Sequence, residues 1–171
     1  MTAPTKGVTP EPDLDFDDDI ALATGSSYPQ QTDLVGCLLL MKPYANGTRR
    51  SKNADGKDYP WVECDAWVLE LPIGKNGEPS WPTGFFEGEP VPYELEGFQF
   101  TGNNVVGTLM RQMRKDKLAL GVLIIGEQKD RSKQAPWILE PPSEDQMRKA
   151  NTFYKAYKAR QAAKSDQEFF N

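Results

Sequence analysis

Apolar residues in this chain come in short blocks. Leu34-Val35-Gly36-Cys37-Leu38-Leu39-Leu40-Met41 is one continuous block, stopped by Lys42-Pro43. It is too short for a typical helix and predicts a buried first strand, with Gly36 marking a bend or bulge. Residues 44–58 are polar and carry the turn signals Asn46-Gly47 and Asp55-Gly56, which predict a loop. Residues 61–69 alternate. Val62, Cys64, Ala66 and Val68 fall on one side, and Trp61, Glu63, Asp65, Trp67 and Leu69 on the other, as in a half-buried strand with a mixed second face. Residues 81–92 hold too much Gly and Pro for a helix and predict an elaborated loop or short strands. Residues 93–100 alternate weakly and predict another strand.

The period then changes. After Gly102-Asn103-Asn104, the residues Val106, Leu109, Met110 and Met113 follow i, i+3, i+4, i+7 spacing and predict a helix with one apolar face, although Gly107 lies inside it. Residues 118–125 form a second continuous strand-like block, and residues 136–140 a last short strand. Pro141-Pro142 ends it. Ser143 with Gln146 makes a capping-box signature, with Glu144 and Asp145 in the first turn. Met147, Ala150, Tyr154 and Tyr157 mark one face of a helix running to about Lys164.

This order predicts a mainly β, α+β domain. A helix inserted among five short strands, with a second helix at the C-terminus, fits an OB-like five-stranded, partly open barrel; a generic α+β sandwich is the alternative. The expected organisation is a disordered acidic arm over residues 1–30, the OB-like domain over 31–142, the C-terminal helix over 143–164 and a short acidic-aromatic tail over 165–171. The arm's Pro, Thr, Ser, Gly and Asp content shows no sustained period.

Composition narrows the function classes. The chain has no His, and its two cysteines, Cys37 and Cys64, lie in strand-like runs without metal-ligand spacing. They read as small buried thiols, and neither a metal site nor a disulfide framework is indicated. Most acid–base and nucleophilic triads also need a histidine. No apolar run is long enough to span a membrane, and no secretory signal is visible, so a cytoplasmic location is expected.

The net charge of −5 hides a division. Residues 1–34 hold one Lys against seven acids, or −6, while the remainder holds 19 basic against 18 acidic residues, or +1. The acidity peaks in Asp13-Leu14-Asp15-Phe16-Asp17-Asp18-Asp19-Ile20, where like charges disfavour burial. Such a segment offers apolar anchors in a negative field, to a partner with a basic, apolar groove or as a mimic of nucleic acid. A plain solvated acidic arm is the other reading.

Positive charge gathers in two loops. Residues 42–57 carry Lys42, Arg49, Arg50, Lys52 and Lys57 against Asp55. Residues 129–133 carry Lys129, Arg131 and Lys133 against Asp130. Tyr44, Tyr59 and Trp61 flank the first loop and Trp137 follows the second. Cations that track phosphates, with flat side chains on which bases stack, are what a single-strand binder needs. Each aromatic taken alone also fits the core. Arg111, Arg114, Lys115 and Lys117 complement the dipole at the end of the inserted helix. Glu127-Gln128-Lys129, with Asp65 or Asp116 upstream, superficially resembles the Asp…Glu-x-Lys metal site of a nuclease family.

Asp15-Phe16-Asp17-Asp18-Asp19-Ile20 resembles the acidic tip of bacterial single-stranded DNA-binding proteins, Asp-Phe-Asp-Asp-Asp-Ile-Pro-Phe, with Ala21-Leu22 replacing Pro-Phe and the segment near the N-terminus. The body, roughly residues 34–157, resembles single-stranded DNA-binding proteins of actinobacterial phages. The residues that carry this are Leu34-Val35-Gly36, Leu38-Leu39, Lys42-Pro43, Phe100, Gly107-Thr108-Leu109, Gly121-Val122-Leu123 and Ala135-Pro136-Trp137-Ile138-Leu139-Glu140-Pro141-Pro142, followed by a helix bearing Asp145. The resemblance implies an OB fold, no cofactor and protection of single strands in replication or recombination in a bacterial host cytoplasm. The expected partners are single-stranded DNA and, through the arm, replication or recombination proteins, with self-association left open. A protein-interaction adaptor without DNA binding is the alternative, and a Mg-dependent nuclease a more distant one.

Overall fold

A computed structural model describes residues 28–50, 57–130 and 134–170, with side chains up to Gln167. The acidic segment 13–20, Lys52, Arg131 and Lys133 lie outside the described residues, as does the arm up to Ser27.

Five strands and two helices follow a short 3-10 turn at Gln31–Leu34. They are β1 (Leu38–Arg50), β2 (Asp58–Glu70), β3 (Tyr93–Thr101), α1 (Asn103–Arg114), β4 (Ala119–Ile125), β5 (Trp137–Glu140) and α2 (Glu144–Phe170). The strands form one antiparallel sheet in the order β3-β2-β1-β4-β5. The fold is α+β, with α1 inserted between β3 and β4 and α2 at the C-terminus. The expected barrel is not closed: β3 and β5 are the two edges of the sheet. β5 spans four residues, and its ladder is with β4.

The alternation in β2 sorts the molecule into layers. Val62, Cys64, Ala66 and Val68 are buried with Leu39, Met41, Phe98, Phe100 and Leu123 in the main core, which α1 closes with Val105, Val106 and Leu109. On the other face, Leu38, Leu40, Trp67 and Leu69 form a smaller core under α2, where Ala150, Phe153, Tyr154 and Tyr157 cover them. Met147, expected on that buried face, is exposed. Burying Cys37 and Cys64 pushes both thiols up to about 12, so they are small apolar side chains here and not thiolates.

The first strand corrects the sequence reading. Leu34 lies in the 3-10 turn, and β1 begins at Leu38 and continues through Lys42-Pro43 to Arg50. The residues expected to form a loop are largely the arms of a long β1–β2 hairpin. Pro43 is tolerated because the β4 ladder ends at Met41 and because a register shift falls between Pro43 and Ala45. Tyr44 is the extra residue of that bulge. Gly36 does mark a bend. Its φ is +83°, its N–H donates to Leu123 O at 2.6 Å, and a side chain there would run into Pro72.

The second helix starts as its sequence predicts. Ser143 Oγ accepts from Gln146 N at 3.1 Å, and Gln146 Oε1 accepts from Ser143 N at 2.9 Å. It runs on to Phe170, past the expected end near Lys164 and into the expected tail. Nothing between Arg160 and Phe170 stops a helix: the stretch has no Gly or Pro and is rich in Ala, Gln, Lys and Glu.

Candidate nucleic-acid interface

The sheet face under α2 is covered only along part of its length. Antiparallel register puts Arg49 opposite Tyr59, Gly47 opposite Trp61 and Ala45 opposite Glu63. It also puts Thr101 opposite Trp61 and Gln99 opposite Glu63. Directly paired residues point to the same side, and along β2 the residues Tyr59, Trp61, Glu63 and Asp65 share a side with Trp67. This face therefore has two parts: Trp67 and Leu69 beneath α2, and a hairpin part bearing Tyr59, Trp61, Arg49 and Gln99.

Several contacts set the shape of the hairpin part. Arg49 donates from Nη2 to Gln99 Oε1 at 2.6 Å, so its guanidinium reaches across β2 to β3. Trp61 is half-buried against the backbone of Gly47. A Cβ there would lie 2.6 Å from Trp61 Cζ2. Tyr44 is 49% exposed, and its hydroxyl extends over the sheet toward Gly97 and Glu63. Desolvation, then the charges of Glu63 and Asp65 and a hydrogen bond to Glu63, raise its hydroxyl's pKa. Tyr59 is 45% exposed at the distal end. Lys42, opposite Asp65, is exposed on this face, whereas Arg50, opposite Asp58, is exposed on the reverse side of the hairpin.

The start of β5 lies near the end of β3. Trp137 starts β5, opposite Ile125, and is partly buried against the main core. Its Cβ lies 3.0 Å from where a Cβ on Gly102 would sit, and Gly102 directly follows Thr101, the residue opposite Trp61. The first residue of β5 is thereby set beside the end of β3; Lys129, earlier in the β4–β5 connection, is exposed. Gln31 is fixed at the same place: its amide donates to Thr101 O at 3.1 Å and accepts from Thr101 N at 2.9 Å.

Of the residues singled out in sequence, Lys42, Tyr44, Arg49, Arg50, Tyr59 and Trp61 thus occupy one hairpin. Lys129 and Trp137 belong to the β4–β5 end, with Trp137 in a packing position. Gln99, which holds Arg49, and Gly47, which seats Trp61, were missed. Asn46-Gly47 looks like a turn when read locally, and its role appears only once it is paired with Trp61. Glu63 and Asp65 bring negative charge to the same face, and Asp65 Oδ1 accepts from Gly97 N at 3.1 Å.

The nuclease-like residues are dispersed. Asp65 lies within β2, Asp116 follows α1 with φ +54°, and Glu127 is exposed after β4. Among the described residues, no three Cys, Asp or Glu side chains are grouped to hold a metal ion. No helix among them is long and apolar enough to cross a membrane. Comparison with protein-family models, with curated proteins and with solved structures gives no match to this chain.

Proposed function

We propose that this protein binds single-stranded DNA with little sequence preference, acting as a non-enzymatic protector of strands in phage replication or recombination. The observation that carries the reading is the open hairpin face: Tyr44, Tyr59 and Trp61 beside Arg49 and Lys42, on a sheet surface that α2 leaves uncovered, with Arg50 on the reverse side of the same hairpin. Bases would stack on the rings, and the cations would track the phosphates; each stack is worth roughly 1–3 kcal/mol. An open surface suits an extended strand better than a compact small molecule.

Topology supports an OB-like relationship. The central β1 pairs with both β2 and β4, a helix joins β3 to β4, and the connection before β5 comes back beside the end of β3. We read this order as that of a five-stranded, partly open barrel whose β3–β5 seam is left unpaired. In OB folds the face of strands 2 and 3, with the loops 1–2 and 4–5, takes the oligonucleotide. The hairpin face described above would be the equivalent surface. The acidic arm, by the same resemblance, recruits replication or recombination proteins.

Ultraviolet cross-linking of oligo-dT to the full chain, with adducts mapped by mass spectrometry, tests the surface. Adducts at Tyr44, Tyr59 or Trp61 are expected. Adducts confined to Trp81, Phe85 or Tyr93 would overturn the assignment.

A further inference from the structure

We propose that residues 13–20 of this chain dock in the groove between α2 and the start of β3. The inference does not depend on nucleic-acid binding. The groove holds about 480 Å³, within the size range of small-ligand sites. Its floor is aromatic: Trp67 lies 4.9 Å from Tyr157 and 5.9 Å from Phe153 between ring centroids. Its rim is basic, with Arg160 and Lys164 projecting from consecutive turns of α2 and Glu94 facing them from β3. Neither Arg160 nor Lys164 forms a salt bridge among the described residues.

An apolar floor with two cations at its rim selects a short peptide that carries a large apolar anchor flanked by carboxylates. Residues 13–20 have that composition: Leu14, Phe16 and Ile20 stand among five aspartates. Phe16 fits against the ring floor, and Asp17 to Asp19 face Arg160 and Lys164. The segment of 1–34 carries −6 in a chain whose remainder carries +1, so the arm is attracted to unpaired cations such as those at this rim.

The tether permits docking within one chain. Gln31 is fixed to Thr101 through both atoms of its amide. Glu94, in the groove, lies seven residues earlier on β3, or about 23 Å away at roughly 3.3 Å per strand residue. The ten residues 21–30 span up to about 35 Å when extended. The arm therefore reaches its own groove and needs no second copy.

Zero-length carbodiimide coupling of the full chain, at micromolar concentration and low salt, tests this. Carboxylates of Asp17, Asp18 or Asp19 are expected to form amide bonds with Lys164 Nζ. In an equimolar mixture of ¹⁴N- and ¹⁵N-labelled chains, the joined peptides should carry a single isotope. Phe16→Ser and, separately, Arg160→Glu both leave Lys164 in place, and neither changes a member of the two described cores; each should cut the adduct yield at least fivefold. Absence of adducts to Lys164, adducts only to Lys42, Lys57 or Lys129, isotopically mixed pairs, or yields unchanged in both variants would each overturn the proposal.

Discussion

Gly47 sits where any side chain would collide with an indole. A methyl group there would come within 2.6 Å of Trp61, so Gly47→Ala must displace the ring or the strand. Because Trp61 is the largest stacking surface proposed for the hairpin face, this variant should shift one indole N–H resonance. It should also weaken oligo-dT binding by about tenfold, within the roughly 1–3 kcal/mol of one stacked base. Gly107 is the opposite case. It lies in the interior of α1, and a Cβ added there meets nothing within 4 Å. Gly107→Ala should therefore stabilise the fold by up to about 1 kcal/mol, read as a rise in thermal midpoint of roughly 2–4 °C. A fall would show that the helix needs that glycine for a reason its surroundings do not reveal.

At the scale of elements, what was legible depended on burial. β2 could be read because Val62, Cys64, Ala66 and Val68 face the main core while Trp67 and Leu69 face α2, so both sides of the strand leave a pattern. The distal half of β1 could not. From Lys42 onward it has left β4 behind and projects with β2 as a hairpin, so Asn46, Thr48 and Arg50 face no core that would demand alternation. Its strand pairing is set by the partner strand, which a local reading does not see. The start of α2 was legible because Ser143 and Gln146 bond reciprocally, a local event.

What fastens α2 to the sheet was not legible. Glu70 at the end of β2 accepts from Lys149 Nζ at 3.0 Å and from Gln146 Nε2 at 3.1 Å, bonds between residues far apart in sequence. The bond from Lys149 is the main cause that holds the Glu70 carboxyl below its ordinary value, with Gln146 assisting against partial burial. A carboxyl depressed by folding adds stability above its unfolded pKa, and that stability is lost as the pH falls through the folded value. The difference in thermal midpoint between the wild-type chain and Glu70→Gln should favour wild type near neutrality. It should then shrink as pH falls from about 5 to about 3. A gap that stays constant across that range would rule out this coupling.

Considered together, the described residues form one sheet between two helices, with α2 dividing its outer face into a closed and an open part. That division is non-local. It depends on how far α2 extends over Trp67 and how far the hairpin projects beyond β3, and neither distance is written in any short stretch of sequence. The basic and aromatic character of Lys42, Tyr44, Arg49, Arg50, Tyr59 and Trp61 was visible from composition alone, whereas the gathering of all but Arg50 on one side required the register. The central claim is that this open side holds a single strand by stacking and by charge. It is tested most directly by titrating the full chain with oligo-dT and with a duplex of equal length, following tryptophan fluorescence at about 20 mM and about 500 mM salt. The account predicts quenching by oligo-dT, weaker binding to the duplex, and a loss of at least tenfold in affinity at the higher salt. No binding of oligo-dT at the lower salt, or equal binding of both nucleic acids, would contradict it.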